Sequence, residues 1–364
     1  MSNVSKIRTL FNRENPTDFI AAVHARRFEA KYKHKPFIQS LDNDIRRLCP
    51  PELIDTEKKY ARIRTDVVYS IYAFGASALD YFAYRFYAKT YAERRTFFTE
   101  FNRYEFYSYV NDKDAMKIFQ DKYVTYRKFS KYYGREVFAF GGASDIPKLL
   151  DFSQRHDEFF VKPVKSSCGI GVKKYRFSDF SSLDKLTRIM LESGRSVVEE
   201  AIVQSDEMAS LHAPSVNTLR VNTLVTDDGV KLLYPFMRVG HSNAFIDNAG
   251  SGGIIMPIDV NTGVVHLLPG DESLHRYIVH PDTSAQLVGF KVPRFDEAMK
   301  LAAELASVVP SVRFVGWDLA LTDKGWVMVE GNDRAMFFCQ QFGDRIGKRG
   351  EHFRLAGIDR TNLS

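Results

Sequence analysis

The 364-residue sequence is poor in cysteine, with Cys49, Cys168 and Cys339 alone. No two of them form a CxxC pair and one thiol is left odd, which argues against a disulfide framework and fits a reducing cytoplasm. A run of 18 apolar residues is missing, so no membrane-spanning helix is expected. The start, Met1-Ser-Asn-Val-Ser-Lys-Ile-Arg8, lacks the apolar h-region of a secretory signal. Neither an internal repeat nor a low-complexity linker interrupts the chain. Two well-known phosphate signatures are also absent. No Gly-x-Lys-Ser/Thr completes a Walker loop, and no helix opens directly after the glycines as the dinucleotide fingerprint requires.

With 45% hydrophobic residues, the chain can bury large cores and should form two or three lobes. Its charge is uneven. Residues 1 to 135 hold 26 Lys+Arg against 16 Asp+Glu, and the remainder 25 against 29. A basic, aromatic first third could meet nucleic acid, an acidic sugar or an anionic membrane. The basic residues are, however, spread through amphipathic helices, so a solvated helical surface is favoured and no nucleic-acid partner is expected. Asn15-Pro16-Thr-Asp18 signals a helix start, with Phe19, Val23, Phe28 and Tyr32 as its apolar stripe. A second long helix is expected over Asp66 to Lys89, and a third from an Asp112 cap to Tyr133, stopped by Gly134. From Val137 onward strands alternate with helices, notably Phe180 to Ser193 and Phe295 to Val308, an α+β pattern.

The chemistry gathers in four stretches. In Val327-Met-Val-Glu330-Gly-Asn332, alternation sends Glu330 and Asn332 to one side of a strand and Val327 and Val329 into the core. Thr322-Asp-Lys-Gly325 joins it as a hairpin to Phe314-Val-Gly-Trp-Asp318, and three oxygen ligands at one place suit Mg²⁺. Phe159-Phe-Val-Lys162-Pro is a strand ending in lysine. It runs into Val164-Lys-Ser166-Ser167-Cys168-Gly169-Ile-Gly171, a loop whose glycines and hydroxyls can cradle phosphate; Cys168 has no histidine base nearby and fills the loop. Ser215-Val-Asn217-Thr218-Leu-Arg220-Val-Asn222 places Thr218, Arg220 and Asn222 on one strand face, and Arg238 follows across the Asp227-Asp-Gly229 turn. Asp247-Asn248-Ala-Gly250-Ser-Gly252-Gly253 is polar enough for a mobile loop that closes over the site.

The order of these elements resembles the ATP-grasp superfamily, most closely its sugar-transfer-associated branch, found beside bacterial polysaccharide genes. The resemblance runs from about Asp114 to Arg345, roughly two-thirds of the chain. It implies an ATP-grasp fold with a helical N-terminal region at 1–111, a small lobe at 112–210 and a large lobe with the metal site at 211–364. It implies ATP and Mg²⁺ as cofactors. Lys162 would bind near the α-phosphate, Lys122 would open the nucleotide-binding part, and Ser166, Ser167, Gly169 and Gly171 would hold phosphate. Glu199 or Glu200 would assist the hinge, where Ala201 and Ile202 read the adenine edge, and Asp206 or Glu207 would hold the ribose. Asp318, Glu330 and Asn332 would be the metal ligands; Asp318 departs from the glutamate many members carry first. Arg220 and Arg238 would be catalytic, holding the transferred phosphate or acyl group. The implied activity is an ADP-forming carboxylate–amine ligase working through an acyl phosphate, with small-molecule or glycan-linked substrates. The rivals are a phosphotransferase on the same fold and a non-catalytic basic module. The oligomeric state is not legible.

Overall fold

A computed structural model describes residues 18–165, 170–180, 183–242 and 252–359. Contacts divide the chain into two units. One gathers residues 1–109, 270–276 and 336–364, the other 110–269 and 277–335. The stretch expected as a large lobe, 211–364, therefore contributes to both units.

The first unit is helical. Asp18–Tyr32 and Glu57–Phe74 pack together, with His24 stacked on Tyr72 at 5.2 Å. The long helix expected over Asp66 to Lys89 is instead two helices, Glu57–Phe74 and Ala78–Ala83. Gly75 ends the first in a left-handed conformation at φ 65°, which glycine adopts without the Cβ penalty. Ser77 then caps the second, its hydroxyl accepting from the Asp80 N–H while the Asp80 carboxylate accepts from the Ser77 N–H. Apolar residues continue on both sides of this break, with a gap of five from Phe74 to Leu79, and local capping decides where the helix ends. The C-terminal segment completes the core. Phe337 stacks on Phe98 at 3.7 Å, and the Gln341 amide accepts from the Phe98 N–H at 3.0 Å and donates to its carbonyl at 2.9 Å.

The second unit carries two antiparallel sheets. In the first, β1 (Val137–Phe140), β2 (Glu158–Pro163), β3 (Lys173–Arg176) and β4 (Ser196–Glu200) lie in the order β1-β4-β2-β3. Phe138, Phe140, Phe159 and Val198 bury one face with Leu149 and Phe152 of the helix Ile146–Arg155 and Leu186 and Met190 of Leu183–Ser193. The second sheet orders β5 (Thr218–Thr226), β6 (Gly229–Val239), β7 (Ile254–Pro257), β8 (Phe314–Thr322) and β9 (Gly325–Asn332) as β7-β6-β5-β8-β9. The helix Phe295–Ala306 covers the face that carries Leu219, Val221, Met237 and Leu319. The third helix expected from Asp112 to Tyr133 is split as well. Asp112 accepts from the Asp114 and Ala115 N–H groups at the start of a 3₁₀ turn, Ala115–Ile118, and Asp121 caps the α-helix Lys122–Phe129 by accepting from the Tyr123 and Val124 N–H groups. The Asn15–Thr17 part of the first helix-start signal, and most of the polar loop at 247–253, lie outside the described residues.

Candidate active site

β5, β8 and β9 set the centre of the site by register. Arg220 pairs with Asp318 across β5–β8, Asp318 with Glu330 across β8–β9, and Thr218 with Arg238 across β5–β6. Directly opposed residues project to the same face, so four charged side chains meet. Both nitrogens on the near edge of the Arg220 fork donate to Asp318, Nε to Oδ1 and Nη2 to Oδ2, the latter at 2.8 Å. Arg238 Nη2 lies 2.9 Å from Asp318 Oδ2 and donates to Thr218 Oγ1 at 3.0 Å. Asn332 Nδ2 donates to Glu330 Oε1 at 3.2 Å and to Asp318 Oδ2 at 3.4 Å.

A bulge in β9 aims Glu330. Asp318 opposes Glu330 while Leu319 opposes Met328, leaving Val329 as an extra residue. This corrects the simple alternation. Met328 is the fully buried residue and joins the core, whereas Val327 and Val329 are partly exposed. The extra residue inverts the phase, so that Met328 and Glu330 reach opposite faces although two apart. Arg135 satisfies the carbonyls at the bulge, donating to Met328 O at 2.7 Å and Val329 O at 3.3 Å.

The lysine end is built by the first sheet. Lys162 on β2 donates to Glu199 on β4 at 2.8 Å, and Arg135 donates to the same Glu199 oxygen at 2.8 Å. Burial alone would raise the Glu199 pKa, but the Lys162 and Arg135 charges outweigh it and hold the carboxyl at about 2. Asp318 is held at about 2 by the same balance, burial opposed by Arg220 and Arg238. Glu330 differs. Enclosing protein and the neighbouring Asp318 charge push its pKa up, even though the side chain keeps solvent-accessible surface at the mouth of the site. Lys122 opens its helix with its N–H on the Val164 carbonyl at 3.0 Å. Burial and the Lys162 charge lower its pKa while Glu330 and Glu199 draw it back up. Lys122 thus feels both the β2 lysine and the β9 carboxylate.

The structure separates the adjacent glutamates Glu199 and Glu200. Glu199 joins Lys162, while Glu200 turns to the other side, accepting from the Glu136 N–H at 2.9 Å. The Ala201 N–H is held by the Glu158 carbonyl at 3.3 Å. Ile202 follows, partly exposed, and Asp206 and Glu207 stand exposed in the first turn of Asp206–Ala209. Gly171 has φ 76°, and a Cβ there would come within 2.9 Å of Pro163 Cγ, so the approach to β3 needs glycine. Ser166, Ser167, Cys168 and Gly169 lie outside the described residues.

Arg135 was not singled out from the sequence, because a lone arginine after a helix-stopping glycine carries no motif. A buried amide network escaped in the same way. Gln204 donates to the carbonyls of His212 and Ser215 and accepts from the Asn217 N–H, and Asn217 donates to Met208 O and His212 O. It ties the segment after Ile202 to the start of β5.

The donor set fits a hard cation at Glu330 and Asn332, where Glu330 lies against a second carboxylate, Asp318, whose charge helps to raise its pKa. Asp318 fits on one condition, since both its oxygens are engaged by arginines and one must be released. Among the described residues no three His, Cys, Asp or Glu side chains cluster as a metal site; in the expected set of Asp318, Glu330 and Asn332 the third member is an amide.

The model of the sugar-transfer associated ATP-grasp family matches residues 93–353, well over half the chain. The chain belongs to this family. Among solved ATP-grasp structures, it is 15% identical to the ligase PsnB in complex with a minimal precursor, covering 69% of this chain and 59% of that one at a TM-score of 0.38. It is 12% identical to D-alanine–D-alanine ligase from Helicobacter pylori, with 66% and 61% covered at 0.41. To N5-carboxyaminoimidazole synthetase from Staphylococcus aureus, in complex with ADP, it is 9% identical, with 69% and 55% covered at 0.42. The chain spans less than two thirds of each of these proteins, and likenesses this distant leave the reaction and substrate open. No curated protein matches it. Among the described residues of this ATP-grasp protein, no helix is long and apolar enough to cross a membrane.

Proposed function

We propose that this ATP-grasp protein is an ADP-forming carboxylate–amine ligase. The observation that carries the reading is the meeting, in one unit, of a lysine pair with a carboxylate pair and two arginines: Lys122 feels Lys162 on one side and Glu330 on the other. Polyphosphate needs cations along its length and charge neutralisation at its terminal group, and catalysis of phosphoryl transfer is mostly positioning and electrostatics.

ATP would lie with Lys162 and Lys122 along its phosphates, and the segment from Glu199 to Ile202 beside its base. Asp206 or Glu207 would take the ribose, and Ser166, Ser167, Gly169 and Gly171 the phosphate cradle. Magnesium held by Asp318, Glu330 and Asn332 would neutralise the terminal phosphates. A substrate carboxylate oxygen attacks the γ-phosphorus and ADP leaves; an amine nitrogen then attacks the acyl carbon and phosphate leaves. Arg220 and Arg238 would grip the acyl phosphate with planar forks, which lysine does less well. Asp318 holds both arginines in wait. The family's link with sugar transfer suggests a glycan-linked or sugar-acid substrate and a role in polysaccharide biosynthesis, carried out in the cytoplasm.

Incubation with ATP, candidate sugar acids and amines, read by mass spectrometry, tests this. The expected result is an amide formed in step with ADP, and a hydroxamate when hydroxylamine replaces the amine. A stable phosphate ester with no hydroxamate would make the protein a phosphotransferase instead.

A further inference from the structure

Three arginines meet in the first unit around the helix Phe338–Phe342. Arg276 lays its guanidinium over the Phe342 ring, 3.7 Å from the centroid, and donates to the Phe342 carbonyl at 3.1 Å. Arg345 follows Phe342 by three residues and donates from Nε to the Ala83 carbonyl at 3.3 Å. Arg85 lies two residues beyond Ala83. The three arginine-bearing segments are thus tied to one another by hydrogen bonds from the arginines themselves.

Among the described residues, no carboxylate comes within ion-pair distance, 4.0 Å, of Arg85 or Arg345. Asp344 is engaged with Lys348 at 2.6 Å, while Asp271, 3.0 Å from His275, also acts on Arg276 as an acid felt by that guanidinium. Burial and the Arg345 and Arg85 charges bring Arg276 down to about 10, and burial with Arg85 lowers Arg345. The half-buried Tyr87 phenol feels both Arg85 and Arg345. Arg85 and Arg345 also hold left-handed backbone, φ 55° and 56°, a conformation that is strained for a non-glycine residue. Repulsion and strain at one place call for a compensating ligand.

We propose that Arg85, Arg276 and Arg345, with the Tyr87 hydroxyl, form a binding site for a phosphate-type dianion, built from none of the residues that the ATP reading uses. Planar guanidinium forks match phosphate oxygens two at a time, and three of them exceed what a monocarboxylate would neutralise. The ligand is inorganic phosphate, pyrophosphate, or the phosphate group of a small ester such as a sugar phosphate.

Calorimetric titration of the full chain with phosphate, pyrophosphate and glucose 1-phosphate tests the site. Arg85→Gln and Arg345→Gln should each weaken binding by about tenfold or more, the loss of one charge-assisted contact, while Lys162→Ala leaves this binding intact. Glucose 1-phosphate binding much tighter than phosphate identifies a phosphorylated small molecule as the source; equal affinities identify the free anion. Thermal melts guard against misfolding. Without anion, Arg85→Gln should melt above wild type because repulsion is relieved, and pyrophosphate should raise the wild-type melting temperature more than the variant's. Binding that survives both arginine substitutions within about threefold, that is lost only in Lys162→Ala, or that is absent for all three anions overturns the proposal.

Discussion

At the scale of single residues, the two carboxyls with opposite shifts make opposite demands on pH. The Glu199 pKa is depressed from its ordinary 4.5 to about 2, so its contribution to stability is present above the ordinary value and lost as pH falls toward 2. Lys162→Ala leaves Glu199 with Arg135 alone. Acid unfolding should then begin at a higher pH, and ATP affinity should fall by the roughly 1.5–3 kcal/mol of a charge-assisted contact; an unchanged acid midpoint together with unchanged calorimetric affinity would reduce Lys162 to a surface lysine. Glu330 has a raised pKa. Its effect has the other sign: stability is greatest below the ordinary carboxyl range and declines as pH rises through the folded value. Glu330→Gln should therefore melt above wild type at neutral pH in the absence of magnesium, while losing most ATP turnover. A variant that melts lower, or that keeps near wild-type turnover at limiting magnesium, would contradict the site.

At the scale of elements, the β9 bulge is held by a residue from outside its sheet. Arg135 gives hydrogen bonds to the Met328 and Val329 carbonyls and to Glu199, so one guanidinium sets the phase of the strand that bears Glu330 and the carboxylate that meets Lys162. Arg135→Lys keeps the charge beside Glu199 and cannot reach both carbonyls. ATP affinity should stay within about threefold and turnover should fall by about tenfold, equivalent to about 1.4 kcal/mol of lost positioning. Equal losses in both would mean that Arg135 acts through Glu199 alone. The capping box at Ala78–Ala83 offers a milder test, since Ser77→Ala should cost about 1 kcal/mol in urea unfolding with no change in turnover.

At the scale of the whole molecule, the first unit is assembled from segments far apart in sequence. Phe337 on Phe98, and Gln341 on both backbone groups of Phe98, make residues 336–364 part of the N-terminal core. A chain ending at Ala335 should lose protease resistance within residues 18–109, because Phe98 and Tyr84 lose aromatic partners that help to bury them. Limited proteolysis followed by mass spectrometry reads this directly; an unchanged cleavage pattern would show that the helices near the N-terminus stand without the C-terminal segment.

Much of the site was written in local pattern. Alternation put Thr218, Arg220 and Asn222 on one face of β5, a two-residue turn joined β8 to β9, and a strand ending in Lys162 led into a glycine loop, because each depends on residues a few positions apart. Capping reads the same way in hindsight: Gly75 with Ser77 and Asp80, and Asp121 ahead of Lys122, were visible signals that apolar spacing overrode. What tertiary structure alone decided was of another kind. The choice of Glu199 over Glu200 beside Lys162 depends on the β2–β4 register, which sets Glu199 opposite Phe160 on the sheet face that carries Lys162, and the burial of Met328 in place of Val327 and Val329 depends on a bulge fixed from afar by Arg135. The gathering of Arg85, Arg276 and Arg345 joins residues up to 260 positions apart. Charge and hydrogen-bond partnerships over such separations leave no period in a sequence, since they are set by which elements pack together and not by what lies next along the chain.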